Sequence, residues 1–379
     1  MLIKEPSQSA INPIITLFSN GKFQEALDEV LALTKSFPED SLLHNITGAC
    51  YGGLGELGSA VKSYEKAIAI KPDYAKAHYN LGNTLHELNL LDDSIKSYER
   101  SLAIDPNYAE AFNNLGNVFK DLNNFDEAIN SYKKALVIKP DYFEVHYSLG
   151  IAFKGLGQLD DMIKHLKKAV KIQPDLAEVH YRIGVGLEEL GRLHEAIKSY
   201  QKVIEINPNF IEAYNHLGII FNELGRHDEA IESYQKVLEI NPNISEAHNN
   251  LGNAFKSLGR YDEAIESYQK ALEINPDYPA LHNNLGSVYK EIDRLDDALK
   301  SYKNALIYNP DYSESYNNLG TTFFELERFN EAFKALKKAI EIEPEYVDAH
   351  YNLAVTFKSL DQLDDAVKSY KRALEINPN

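Results

Sequence analysis

Residues 109–140 read AEAFNNLGNVFKDLNNFDEAINSYKKALVIKP, two runs of apolar or small residues at helical spacing with a polar break around Asn123 between them. Numbered from 1, the stretch places such residues at positions 4, 7, 8 and 11, then at 20, 24 and 27, and closes with proline at 32. That proline recurs every 34 residues as Pro38, Pro72, Pro106, Pro140, Pro174, Pro208, Pro242, Pro276, Pro310, Pro344 and Pro378, with no slip of register. The chain of 379 residues therefore divides into eleven repeats starting at Ser7, Ser41, Ala75, Ala109, Phe143, Ala177, Ile211, Ser245, Pro279, Ser313 and Val347. A fixed period marks supersecondary copies that bury their apolar faces on each other, so the length predicts one elongated array, with function spread over a surface.

Each copy reads as a helical hairpin. Position 15 is Gly55, Asn89, Asn123, Gly157, Gly191, Gly225, Gly259, Asp293 or Asp361, residue types that accept the left-handed turn ending a helix. Positions 18 and 19 are mostly acidic, as in Asp228 and Glu229, where the dipole of the second helix favours negative charge. Glycine at position 8, as in Gly116 and Gly252, and alanine at position 20, as in Ala128 and Ala264, let the two helices approach. Tyrosine at position 24, as in Tyr132 and Tyr268, supplies a large apolar body with one polar tip.

This pattern, Leu-Gly at 7–8, aromatics at 11 or 24, Ala at 20 and 27 and Pro at 32, resembles the tetratricopeptide repeat family from Ser41 onward. The resemblance implies an all-α fold, an α-solenoid of about eleven helix pairs stacked in a right-handed superhelix whose concave wall is lined by the first helices. Residues 1–12 read as a lead-in, 13–40 as a degenerate first repeat and 41–379 as ten in-phase repeats. In the first copy Asn12 reads as an N-cap before Pro13, so its first helix is expected to start near Pro13.

With positions 4, 7, 8 and 11 in the core, positions 2, 5, 6, 9, 12 and 13 fall in the opposite sector of the first helix and are expected to be free for binding. Position 6 carries Asn80, Asn114, Asn250, Asn284, Asn318 and Asn352, and position 9 adds Asn83, Asn117 and Asn253. A carboxamide offers donors and an acceptor, so a ladder of them can pair with an extended backbone without reading its sequence. The ladder resembles the repeat region of O-linked N-acetylglucosamine transferases, which implies a role in holding substrate polypeptide for a catalytic domain. The alternative is that these residues are solvated copies of one duplicated unit.

Repeats five to seven interrupt the ladder with Tyr147, Ile151, Tyr181, Arg182, Val185, His216 and Ile219, either a selective central pocket or sequence drift. Lys120, Lys154, Lys256, Lys290 and Lys358 at position 12 form a basic stripe that attracts acidic peptides or simply keeps the face soluble. The two-carboxylate clamp of the family's chaperone-binding members is disfavoured, because Arg182 at position 6 follows Glu178, not lysine, at position 2.

Other chemical signals dissolve in this register. The GxGxxG at 53–58 lacks a preceding strand and reads as a turn. His44, His78, His146, His180, His248, His282 and His350 all occupy position 4 and alternate with Phe112, Tyr214 and Tyr316, so they read as packing rings and not as metal ligands. No catalytic constellation, metal site or cofactor motif is found. A net charge of −18 argues against nucleic-acid or membrane partners, and the single cysteine, Cys50, suits a reducing, cytoplasmic setting. Three functions stay open: a non-catalytic protein- or peptide-binding scaffold, the recruiting arm of a polypeptide-modifying transferase, and an architectural protein. The last repeat ends on its boundary at Asn379, which leads us to expect end-to-end self-association or a covalent continuation covering its apolar face.

Overall fold

The computed structural model describes residues 6–378. Among them are twenty-two α-helices and no strand, from Gln8–Ser19 to Leu363–Ile376, two per repeat. After the first repeat the register is constant: the first helix takes positions 1–13 and the second positions 17–30, as in Ser41–Gly53 and Leu57–Ile70. Each is an α-solenoid segment in which a hairpin packs on its neighbours in sequence. The repeat count predicts one array, whereas the helices divide into two compact units, one ending at Ser199 and the other beginning at Tyr200, inside the helix Leu193–Ile206.

The turn between the helices is fixed by position 15. Gly55 and Asn123 adopt φ of +77° and +57°, and so does Glu327 at +58°, a side chain with no particular tolerance for that region. The backbone N–H of the next residue then reaches back to position 11, as Glu56 to Tyr51 O at 2.9 Å and Arg260 to Phe255 O at 2.9 Å, satisfying carbonyls at the helix end.

Closure of each hairpin rests on glycine at position 8. A Cβ on Gly116, Gly218 or Gly252 would lie 2.6–2.7 Å from a carbon of the Tyr132, Tyr234 or Tyr268 ring, each of which is buried. The last repeat has Ala354 in that place, and there Tyr370 is only half-buried, its ring 5.6 Å from that of Tyr351.

The first repeat departs from expectation. Its first helix runs Gln8–Ser19 with Pro13 inside it, and Asn12 accepts from Gln8 Nε2 at 2.9 Å where an N-cap role was expected. Ile11 and Ile14, one helical turn apart, are both buried against Ala26, Leu27, Val30 and Leu43, so a start at Pro13 would forfeit Ile11. The carbonyl that Pro13 leaves without a donor is that of Ser9, which is exposed to water and so costs little. Residues 1–5 of the expected lead-in, and Asn379, lie outside the described residues.

Candidate functional site

The asparagines of the first helices do not stand free. Position 6 of one repeat donates to position 5 of the repeat before it: Asn80 Nδ2 to Asn45 Oδ1 at 3.0 Å, Asn284 to Asn249 at 3.0 Å, Asn318 to Asn283 at 3.1 Å and Asn352 to Asn317 at 2.9 Å. Asn114 Nδ2 reaches both the Tyr79 hydroxyl at 3.1 Å and Asn83 Oδ1 at 2.9 Å, and Asn250 Oδ1 accepts from Asn249. The expectation that positions 5 and 6 are free is corrected here. Asn113, Asn283 and Asn317 at position 5 are buried and the position-6 amides half-buried, because successive first helices touch along this seam, as Ser41–Gly53 and Ala75–Glu87 do.

Position 9 is tied in the other direction. The hydroxyls of Tyr98, Tyr132 and Tyr268 donate to Asn83, Asn117 and Asn253 at 2.6, 2.7 and 2.6 Å, linking the two helices of one repeat. Burial holds these phenols well above their ordinary pKa, so they stay protonated donors. Because each carboxamide commits one group to the scaffold while carrying two donor hydrogens and an acceptor oxygen, further capacity is left on a held frame.

The ladder ends where repeat five begins. Ser148 stands 35 residues after Asn113, in the place from which an asparagine donates elsewhere, and Asn113 Oδ1 is buried without a partner. In the same unit the Arg182 guanidinium lies 5.9 Å from the Tyr147 ring centroid and pairs with Glu178 at 2.7 Å. Ile151, Tyr181 and Val185 are half-buried on these helices. His216 and Ile219 belong to the second unit, where His216 stacks 5.1 Å from Tyr200 and Ile219 is exposed.

The position-12 lysines also cross between repeats. Lys256 donates to Ser287 at 2.7 Å, Lys290 to Thr321 at 3.0 Å and to Glu325 at 3.1 Å, and Lys154 pairs with Glu189 at 3.5 Å. Much of the stripe's charge is therefore met within the protein, and exposed pairs of this kind contribute little stability.

Two regularities escaped the sequence reading. The position-4 histidine Nε2 bonds the ruler proline's carbonyl six residues back, as His44 to Pro38 at 2.8 Å and His282 to Pro276 at 2.9 Å. The constant six-residue spacing of the two was the available signal. Arg226, Arg260, Arg294 and Arg328 at position 16 each sit 4.5 Å above the aromatic ring at position 11 and pair with an acid at position 19. The acids thus serve a cation as well as a helix end. No cluster of three or more metal-ligating side chains occurs among the described residues, and no helix there is long and apolar enough to cross a membrane.

Two cavities open on the first-helix face. One, of about 320 Å³, lies between the first three repeats and touches Asn80; the other, of about 350 Å³, touches Asn352 together with Lys290, Phe324, Tyr351 and Val355.

A family model described as TPR repeat matches residues 53–89, 82–123, 116–157, 187–225, 219–259, 252–293 and 320–361, and models described as tetratricopeptide repeat match 143–176, 279–312 and 347–379. Among curated proteins, the peroxisomal targeting signal receptor of Candida albicans is 32% identical over 68 residues, 18% of this chain and 12% of the receptor. The receptor of Candida glabrata is 30% identical over 67 residues, 18% of this chain and 11% of its own length. The chain thus matches only about a tenth of either receptor. Among solved structures, the C-terminal part of a TPR repeat-containing protein from Cytophaga hutchinsonii superposes with a TM-score of 0.57 at 18% identity, over 64% of this chain and 99% of that one. YrrB, described as a TPR protein with an unusual peptide-binding site, gives 0.45 at 26% identity, over 49% and 96%.

Proposed function

We propose, from the premise that this chain belongs to the tetratricopeptide repeat family, that it acts as a scaffold holding extended polypeptide along the asparagine-bearing face of its first helices. Mediating protein interactions is the family's general role; the groove is our specific reading. The observation that carries it is the fixed row of amides. Asn80, Asn114, Asn284, Asn318 and Asn352 are each held by an inter-repeat hydrogen bond, so their remaining groups meet a ligand backbone with little ordering cost. Being backbone-directed, such a grip gives weak sequence preference.

The Candida receptors are named for a targeting signal, which agrees with a polypeptide ligand, although the match spans a small part of each. The test is titration of an unstructured labelled peptide against the chain and against a variant with Asn250, Asn284, Asn318 and Asn352 changed to alanine. Weaker binding by the variant, with helix content retained, supports the groove; equal binding rejects it.

A second reading, the recruiting arm of a polypeptide-modifying transferase, is favoured by the ladder's match to the repeat region of O-linked N-acetylglucosamine transferases. It uses the same face and predicts co-purification with transferase activity that the chain alone lacks.

A further inference from the structure

Repeats one and two do not continue the amide face. At positions 9 and 12 of the first repeat stand Ile15 and Phe18, and at positions 2, 6 and 9 of the second stand Leu42, Ile46 and Ala49. The structure gathers these side chains around one cavity of about 320 Å³, bordered by Asn45, Asn80 and Lys76 of the next helices. Ile15 and Leu42 are 43% and 37% exposed, large apolar groups open to solvent at a site with ordered polar edges. Asn80 Nδ2 is committed to Asn45 Oδ1, which sets the orientation of the amide at the cavity's rim.

Charge identifies the occupant. Lys76 is the only ionic side chain lining the cavity, and no carboxylate pairs with it among the described residues. It is an exposed cation in a chain with eighteen more acids than bases. A helical or purely apolar partner would leave it unused, whereas an extended chain carrying a carboxylate near a bulky apolar side chain satisfies both walls at once.

We infer that the cavity formed by Ile15, Phe18, Leu42 and Ile46 beside Lys76 anchors an apolar side chain that stands within two residues of a carboxylate in an extended polypeptide. This rests on the groove reading of the proposed function and adds a point of sequence selection to it. The anchor fixes where a segment begins along the face, and the amide ladder of the later repeats holds the rest of that segment. A pocket for one side chain with backbone grip beyond it is a general way to obtain register from a surface that otherwise reads no sequence.

The test is capture of a random nonapeptide pool on the immobilised full chain, followed by sequencing of the bound peptides. Expected is enrichment of Leu, Ile or Phe within two residues of Asp or Glu. Ile15→Gln is expected to abolish the apolar enrichment, and Lys76→Glu to exchange the acidic residue for Lys or Arg. A single captured peptide should bind each variant about tenfold more weakly than the unaltered chain. Both replaced side chains are exposed, and unchanged circular dichroism checks that the helices remain. Bound peptides without the pair, or a pair unchanged by both substitutions, would overturn the anchor. Capture that depends on Asn284, Asn318 and Asn352 but not on Ile15 or Lys76 overturns the anchor and leaves the groove; failure to capture any peptide overturns both.

Discussion

Asn352 Nδ2 donates to Asn317 Oδ1 at 2.9 Å across the boundary between the last two repeats, and Asn317 is 7% exposed. A residue on the face assigned to ligand binding is therefore also a bond between copies. Binding and stability share the same side chains, which changes what substitution along the ladder does.

Asn352→Ala is expected to destabilise the last repeats by about 1–2 kcal/mol, because it leaves a buried carbonyl oxygen on Asn317 without a donor. Urea unfolding followed by circular dichroism measures this. No shift in the midpoint would mean that water replaces the lost donor.

Ser148→Asn is expected to do the reverse. It restores a donor 35 residues after Asn113, whose Oδ1 is buried and unpaired, and should stabilise the first unit by about 1 kcal/mol. Asn113→Ala in the same background should cancel the gain. A double-mutant cycle showing independent effects would contradict the pairing.

Glu327→Gly is expected to raise stability by about 0.5–1 kcal/mol, since Glu327 is held at φ +58° where the equivalent residues are glycine, asparagine or aspartate. The glycine's greater freedom in the unfolded chain offsets part of the gain. The measurement is a urea midpoint.

Acid should weaken the first unit through one buried pair. His146 Nδ1 and His165 Nδ1 are 3.1 Å apart, and His146 Nε2 bonds Pro140 O at 3.1 Å. Burial lowers both pKa values, with Lys168 adding repulsion and Asp141 and Asp161 partly opposing it; His165 is brought down to about 4. Unfolded imidazoles take up protons near pH 6.5 and the folded ones do not, so the unfolded state binds more protons. Stability is full above about pH 6.5 and falls as pH drops towards 4. His165→Ser, the residue at this position in repeats three, four and six to nine, should flatten the fall. An unchanged pH dependence in that variant would remove the pair as its cause.

Most of the fold was legible because packing repeats with the sequence. Gly116 and Tyr132, or Gly252 and Tyr268, announce their complementarity at fixed spacing, and every turn follows from position 15. The first repeat was misread because local cues at Asn12 and Pro13 were outweighed by the burial of Ile11, a tertiary effect. The site was half legible. Helical periodicity places Asn80 opposite its own hairpin core, but says nothing of the neighbouring first helix, whose Asn45 takes its donor. The break at Ser148 was visible in sequence; the stranded oxygen on Asn113 that it leaves was not.

The central claim, that carboxamides on this face grip a polypeptide backbone, is tested most directly by methylating that backbone. An unstructured peptide and its twin with alternate amides N-methylated have the same side chains, and their affinities for the full chain can be compared by fluorescence anisotropy. The account predicts binding at least about tenfold weaker for the methylated twin, the loss of one or two hydrogen bonds, and a much smaller difference in the Asn250, Asn284, Asn318 and Asn352 alanine variant. Equal affinity of the two peptides for the unaltered chain would contradict it.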